Sequence, residues 1–353
     1  MTTGLYNIDD LIATRFANAK AFGLTTIAEV LRADLAAHND IVNTMMQELC
    51  EITSDARRIQ GGSNVADMTE VDPLGRAPGQ KQVSGAEVCF PLKDFQYNTG
   101  WTERWLENAT VADVAQRQLD AEKAHLRQII RQIKKACLED DANYDFVDLN
   151  VDNITLHVKR FCNNDGIVPP APPDGTVFLG THQHYSGATP MVVANLTTLI
   201  SNVLEHGHTT DPRLAINVAQ EAAVRGFVGF SAYVDVRYTL PADTSTPIQR
   251  TSIRGIAANN RAIGLLGGAE VWVKPWMPAN YQMAYDAGDS RKPLAFRQRS
   301  SAGALQGLRM AGNFSAHPFG GESMEAEFGI GVNCRTNGAC NAINAGWLDC
   351  VIA

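Results

Sequence analysis

Two H-x-H elements, His182-Gln183-His184 and His206-Gly207-His208, are the residues of this sequence best placed to do chemistry. Side chains i and i+2 of a strand share a face, so each pair can offer two imidazoles to one metal ion. Glu205 and Asp211 stand beside the second pair as carboxylate donors. The chemistry on offer is a metal-activated water, as in a metal-dependent hydrolase. The competing reading is plainer: polar side chains in a loop and at a helix C-terminus, where the dipole favours His. H-x-H by itself fixes neither a third ligand nor a base, so the plainer reading is preferred. Cys334 and Cys340 flank a turn and read as reduced, half-buried thiols. Lys81 and Lys93 sit in or beside a Gly/Pro-rich stretch. A lysine there can in principle attack an Asn side chain of a neighbour, but solvent-facing lysines or simple ion pairs are preferred. Lys134 and Lys135 form a solvated basic patch with no interleaved aromatic residues for base stacking.

Other catalytic signatures are missing. There is no G-x-x-x-x-G-K-[ST], G-x-S-x-G, H-E-x-x-H or C-x-x-C. Gly264-Leu265-Leu266-Gly267-Gly268 has the wrong spacing for a dinucleotide fold and reads as a turn. The 353 residues are 45% hydrophobic and 19% charged, enough for a sizeable core in one large domain or two ordinary ones. A net charge of −8 lacks the basic footprint of a nucleic-acid reader. No run of about eighteen apolar residues is present to span a membrane as a helix. The first ten residues lack a basic segment followed by an apolar one, so no secretory signal is expected. Seven scattered cysteines suggest reduced thiols in a cytoplasm rather than a disulfide framework.

The elements that would position these residues follow from periodicity. Thr26-Ile27-Ala28-Glu29 fits a capping box, and Ile27, Val30, Leu31, Leu35, Ile41, Met45 and Leu49 recur at helical spacing after it. This helix packs on its own core or, alternatively, serves as an arm on a neighbouring subunit. Between about Gln60 and Pro91, Gly61, Gly62, Gly75, Gly79 and Gly85 interleave with Pro73, Pro78 and Pro91. Such density breaks helices and central strands, and the alternation Val88, Phe90, Leu92 favours an extended two-stranded arm. Thr110 and Asp113 cap the strongest helix, Val111 to Leu138, with Val111, Ala115, Leu119, Leu126, Ile130, Ile133 and Cys137 as its stripe. About twenty-eight residues span about 42 Å, long for a globular domain. Strand patterning follows from Tyr144, and the Pro-rich connector from Gly166 to Gly175 is a candidate subdomain boundary. Helices are expected at Pro190 to Glu205 and again from Asp211-Pro212 to Arg225, then a strand from Phe230 to Leu240. The last third reads as strands and loops: Glu270 to Lys274, Tyr281 to Tyr285, and Phe328 to Cys334 closed by Thr336-Asn337-Gly338 as a hairpin.

This order of elements resembles the major capsid protein of tailed bacteriophages, the Hong Kong 97-type fold. Local strings carry the resemblance. Val273-Lys274-Pro275-Trp276-Met277-Pro278-Ala279-Asn280-Tyr281 is similar to the family's "P-A-x-Y" segment. Arg291-Lys292-Pro293-Leu294-Ala295-Phe296-Arg297-Gln298-Arg299 is similar to its "P-L-x-F-R-Q-R" stretch. Phe328-Gly329-Ile330-Gly331-Val332 followed by Thr336-Asn337-Gly338-Ala339 resembles its close, and Thr181-His182-Gln183-His184-Tyr185 with Glu205-His206-Gly207 a segment of one subgroup.

The resemblance implies an α+β fold with an N-terminal arm (1–52), an E-loop (53–106), a P-domain with spine helix (107–186), an A-domain (187–285) and C-terminal strands returning to both (286–353). It implies a shell subunit without catalysis, cofactor or metal, assembling with itself as hexamers and pentamers. Portal and scaffolding proteins, a decoration protein and packaged double-stranded DNA held without sequence preference are the implied partners, and the virion the location. Gly75, Arg76, Lys81, Lys93, Trp101, Arg104, Arg297 and Arg299 are the expected subunit-contact residues. Scaffolding is expected as a separate protein or not at all, and no covalent cross-link is expected. Arm and extension have too little apolar surface to order themselves and would do so on adjacent copies by strand addition and multivalency. An acidic lumen would leave packaged DNA unbound. The remaining alternatives are the metal-dependent hydrolase above and an encapsulin-like compartment of the same fold, enclosing cargo enzymes instead of DNA.

Overall fold

A computed structural model describes residues 7–15, 17–60, 68–79, 85–101, 103–139, 143–149, 153–162, 183–233, 260–300, 306–314 and 320–352. The chain opens with α1 (Ile8–Ala13), α2 (Ala19–Phe22) and α3 (Leu24–Leu49), which runs directly into strand β1 (Cys50–Thr53). Next come β2 (Arg57–Gln60), β3 (Ala86–Cys89), β4 (Lys93–Trp101), α4 (Glu103–Asn108) and the long α5 (Val111–Leu138). After β5 (Tyr144–Asp148), β6 (Ile154–Val158) and β7 (Tyr185–Gly187) lie α6 (Val193–Leu204), β8 (Pro212–Ile216), α7 (Glu221–Arg225) and β9 (Ser231–Ala232). The remainder is β10 (Arg261–Leu266), β11 (Ala269–Val273), β12 (Tyr281–Asp286), β13 (Leu294–Arg297), β14 (Leu308–Phe314), β15 (Gly320–Val332) and β16 (Ala339–Ala342).

Two sheets organise the fold. A five-stranded sheet runs β1-β13-β15-β14, with β4 also paired to the long β15. A seven-stranded sheet runs β7-β16-β12-β8-β11-β10-β9. One apolar core gathers Val42, Met46 and Leu49 of α3, Ile129, Ile133 and Cys137 of α5, and Phe296, Phe328 and Ile330 of the first sheet. A second packs Leu196, Leu199, Ile200 and Val203 of α6 against Leu214, Ile216, Val271 and Val273. Strand β12 lies between them: Met283 and Tyr285 face the first core and Ala284 the second. All six of its residues are therefore buried, where a one-sided strand would alternate.

Helix α5 has the expected limits. Its Thr110–Asp113 capping box forms, with Asp113 N donating to Thr110 Oγ1 at 3.2 Å and Thr110 N to Asp113 Oδ2 at 3.0 Å. Its buried face follows the expected stripe only in part, with Val111, Ala115, Ile133 and Cys137 buried. Gln118, Glu122, His125 and Gln132 are buried, while Leu119, Leu126 and Ile130 are half-buried.

Four expectations need correction. The Thr26 capping box does not form: α3 starts at Leu24 after Gly23, whose φ of +112° makes the join from α2. The buried face of α3 carries His38, Val42 and Met46, leaving Ile41 and Met45 exposed one step round the helix. Residues from Asp211 do not start a helix; Pro212–Ile216 is a central strand, parallel to β11 and antiparallel to β12. The backbone amides of Thr210 and Asp211 bond the Asp286 carboxylate at 2.7 and 2.8 Å, and Leu214, Ala215 and Ile216 are wholly buried. Burial on both faces of a sheet overrides the helix-start signal here. Finally, Asn337-Gly338 does not close a hairpin, because β15 and β16 belong to different sheets. The buried Asn337 side chain instead donates to the carbonyls of Asp286 and Arg291 and accepts from Asp286 N at 2.7 Å. A Cβ at Gly338 would stand 2.6 Å from the Phe161 ring.

Other expectations meet limits of description. The connector 166–175 and residues 234–240 of the expected strand lie outside the described residues, and only Ser231–Ala232 of that strand is seen as such. Of Gly264 to Gly268, expected as a turn, only Gly267 and Gly268, at φ +57° and +88°, turn the chain between β10 and β11, while Gly264 to Leu266 belong to β10.

Candidate assembly surface and histidine clusters

The Gly/Pro-rich extension has a ladder at its base. Strands β2 and β3 pair antiparallel from Arg57↔Cys89 to Gln60↔Ala86. Beyond that ladder, residues 68–79 form no helix or strand and every one is exposed. Met68 and Leu74 are 103% and 99% exposed, as open as in an extended peptide. Asp72 turns the chain: its backbone carbonyl accepts Gly75 N at 3.0 Å and its carboxylate accepts Leu74 N at 2.9 Å.

The root, by contrast, is fixed on several sides. Arg58 donates to Glu51, Asp55 and Thr53 at 2.6, 2.6 and 2.8 Å. Phe90 and Leu92 are fully buried. Where this segment crosses β15, a Cβ at Gly329 would lie 1.8 Å from Pro91 O and one at Gly331 2.9 Å from Cys89 O. The glycines of Phe328-Gly329-Ile330-Gly331-Val332 therefore let two backbones approach closely.

The expected contact residues divide. Gly75, Arg76 and Arg104 are exposed. Arg297 is not: it is 1% exposed, paired with Asp148 at 2.8 Å, and donates to Phe90 O at 2.9 Å. It locks the root inside its own chain and offers nothing to a neighbour. Arg299 pairs with Glu327 of the same chain. Lys93 is half-buried over the Tyr144 ring at 5.4 Å, and burial together with Lys135 and Arg160 lowers its pKa. The backbone of Trp101 pairs with Gly320 at the end of β4, and Lys81 lies outside the described residues.

The arm is a further correction. Leu11, Ala19, Ile27 and Val30 pack on Val111 and Ala115 of the chain's own α5, so the described part of the arm does not need a neighbour to order it. At the far end of α3, Glu48 takes Arg213 at 2.7 Å, Tyr285 at 2.8 Å and Lys274 at 2.7 Å, tying the helix to the seven-stranded sheet. Burial alone would raise the Glu48 pKa; Lys274, Tyr285 and Arg213 outweigh it and lower it.

The histidines group otherwise than H-x-H spacing implies. His182 lies outside the described residues. His184, just before β7, and His206, just after α6, meet at 3.0 Å between their Nε2 atoms, and both are buried. His184 Nδ1 lies 2.7 Å from Gly338 O, and a carbonyl only accepts, so Nδ1 carries the proton. The exposed Glu205 carboxylate completes a group whose ligand atoms all lie within 4.8 Å of one another. His208 turns elsewhere: Nδ1 meets Asp289 at 2.6 Å and Nε2 meets Thr336 Oγ1 at 2.9 Å, with Cys334 Sγ 3.1 Å from that hydroxyl. Burial opposes charge on His208, but Cys334 and Asp289 prevail and raise its pKa. Asp289 is held down to about 2; Arg291 N–H, His208 and the Arg291 side chain outweigh its burial. Asp211 bonds Arg213 and takes no part in either group. All seven cysteines are buried free thiols; Cys334 and Cys340 are more deeply covered than the half-burial expected of them. A second histidine pair escaped the sequence reading, His38 with His125, at 3.0 Å between α3 and α5. Its one signal is that both fall among the buried positions of their helices, His38 four residues before Val42 and His125 four before Ile129.

No protein-family model and no curated protein matches the chain. Solved structures do. A chain of Mycobacterium phage Patience is 21% identical with a TM-score of 0.65, over 99% of this chain and 96% of that one. The capsid of the empty GTA particle is 14% identical at TM-score 0.45 (85% and 89% covered), and the mature capsid of bacteriophage PhiM1 10% identical at 0.43 (82% and 81%). The likeness to the Patience chain runs almost end to end through both molecules and establishes the architecture: this chain has the Hong Kong 97-type fold.

Proposed function

We propose that this chain is a major capsid protein: the structural subunit of an icosahedral tailed-phage head that encloses double-stranded DNA, without enzymatic activity. One observation carries the reading, on a fold shared with a phage chain. The extension holds Met68, Val71 and Leu74 out in solvent while its root is locked by Arg58, Arg297 and the Gly329 and Gly331 crossings. A rigid root under an uncovered apolar tip suits a hairpin that lies across an adjacent copy. Within this reading, residues 1–52 are the N-arm, 53–106 the E-loop, 107–186 the P-domain, 187–285 the A-domain and 286–353 the returning strands. The partners are copies of itself in hexamers and pentamers, portal and scaffolding proteins and a decoration protein, in a particle assembled in the host cytoplasm. Gly75, Arg76 and Arg104 remain its candidate contacts.

Electron microscopy of the purified full-length chain tests the reading, with closed shells expected. Replacing residues 61–85 by a short turn, with the β2–β3 ladder kept, should leave a folded protein that forms none. Normal shells from that variant would remove the extension from assembly. A persistent monomer of the wild-type chain, alone and with its co-expressed neighbours, would overturn the reading.

A further inference from the structure

We propose that His184, His206 and Glu205 form a divalent-metal site of the zinc class, with a structural rather than catalytic role. The proposal revises the expectation that the chain binds no metal, and it does not depend on the shell reading.

The pair is oriented as ligands are. The Gly338 carbonyl takes the Nδ1 proton of His184, so the neutral ring turns its Nε2 lone pair toward His206. A ligating histidine characteristically has its other ring nitrogen bound to a carbonyl or carboxylate in this way. His206 Nε2 faces it at 3.0 Å and donates the proton the two rings share, which an entering ion displaces. Zinc–nitrogen bonds of about 2.0–2.1 Å at the tetrahedral angle place the two nitrogens about 3.3 Å apart, so a few tenths of an ångström of opening admit the ion. Burial of both rings, 7% and 3% exposed, holds them in place without a large ordering cost on binding. Glu205 supplies the charge. It is exposed, offers an oxygen within 4.8 Å of the imidazole ligand atoms, and leaves a fourth position to water. Two imidazoles and one carboxylate suit Zn²⁺, Co²⁺ or Ni²⁺ rather than Mg²⁺ or Ca²⁺.

The location gives the ion a purpose. His206 follows the C-terminal end of α6, and His184 precedes β7, a three-residue strand at the edge of the seven-stranded sheet whose partner is β16. Three ladder residues are a weak hold. A metal shared by His184 and His206 staples that edge strand to the helix.

The test uses the tag-free full-length chain, stripped with EDTA, dialysed and titrated with Zn²⁺ or Co²⁺. The expected result is one ion per chain by elemental analysis, the visible absorption of low-coordinate cobalt, and a melting temperature that rises with zinc. Glu205→Gln should weaken binding about tenfold or more, by analogy with the loss of a supporting group. His206→Asn should abolish it. Should His206→Asn fail to fold, the exposed Glu205→Gln still carries the test. Absence of bound metal in the wild type would overturn the proposal, as would zinc binding that both variants leave unchanged. Abolition by His206→Asn with Glu205→Gln at wild-type affinity would overturn the three-ligand set.

Discussion

Two buried histidine pairs meet at the same 3.0 Å, and depth makes them different things. His38 and His125 are enclosed between α3 and α5, with the Phe328 ring 5.5 Å from that of His125. Their carboxylate is buried as well: Glu122 lies 3.8 Å from His38 and accepts from Gln118, which also reaches Leu31 O and Asp34. Burial together with His38 pushes His125 down to about 4, while burial and Asp34 push Glu122 up to about 7. The enclosed cluster thus suppresses its own charges, because burial in a low dielectric penalises the charged form of each group. The outer pair ends in an exposed carboxylate, so a cation can be held there without desolvating every partner. Pair geometry alone does not distinguish a packing device from a metal site; the solvation of the third group does.

The largest effect comes from removing the support of the enclosed pair. Leu126→Pro, next to His125 in the interior of α5, deletes a backbone donor and clashes with the preceding turn, at a cost of about 3 kcal/mol or more. Loss of a cooperative melting transition is expected; a wild-type melting curve would mean that α5 does not organise the fold. His125→Ala comes next, at about 2–3 kcal/mol, because it opens a cavity against Phe328 and strips His38 of its partner. Urea midpoints would register this loss, and zinc should not restore it.

Acidity separates the groups inside the enclosed cluster. His125 has its folded pKa lowered from 6.5 to about 4, so its contribution is full above pH 6.5 and is lost as pH falls toward 4. His38, lowered by burial against the pull of Asp34, acts in the same sense. Glu122, raised from 4.5 to about 7, favours the folded state below pH 4.5 and loses that contribution as pH rises through 7. Between pH 4.5 and 6.5 the slopes of His125 and Glu122 oppose each other. Glu122→Gln removes one of them, so relative to wild type its stability should climb with pH across that window. Parallel curves would show that Glu122 does not titrate there.

Sequence reading recovered what local chemistry decides. The Thr110–Asp113 cap, the limits of α5 and the Gly267-Gly268 turn are each set within a few residues. It failed where a distant partner decides. The Asp211 carboxylate that resembled a helix cap takes Arg213 instead, Asp286 takes the Thr210 and Asp211 amides, and neighbouring strands on both sides hold Pro212–Ile216 extended. Arg297 resembled a surface contact because its counter-ion, Asp148, is remote in sequence. The histidines were grouped by adjacency, whereas the fold joins one from each element and turns His208 away to Asp289. On α5 the buried face is partly polar, so hydrophobicity marks Val111, Ala115, Ile133 and Cys137 correctly but prefers the half-buried Leu119, Leu126 and Ile130 to the buried Gln118, Glu122, His125 and Gln132.

The smallest effect is also the sharpest contrast. Glu205→Gln is the same chemical change as Glu122→Gln, made at the surface. In EDTA it should alter stability by no more than about 0.5 kcal/mol, the usual range for an exposed substitution. With zinc present, the variant should fall behind wild type in melting temperature, because a ligand that binds only the folded state stabilises it according to its affinity. A stability loss in EDTA as large as that of His125→Ala would mean that Glu205 is a structural partner of the outer pair, and the distinction between the two clusters would fail.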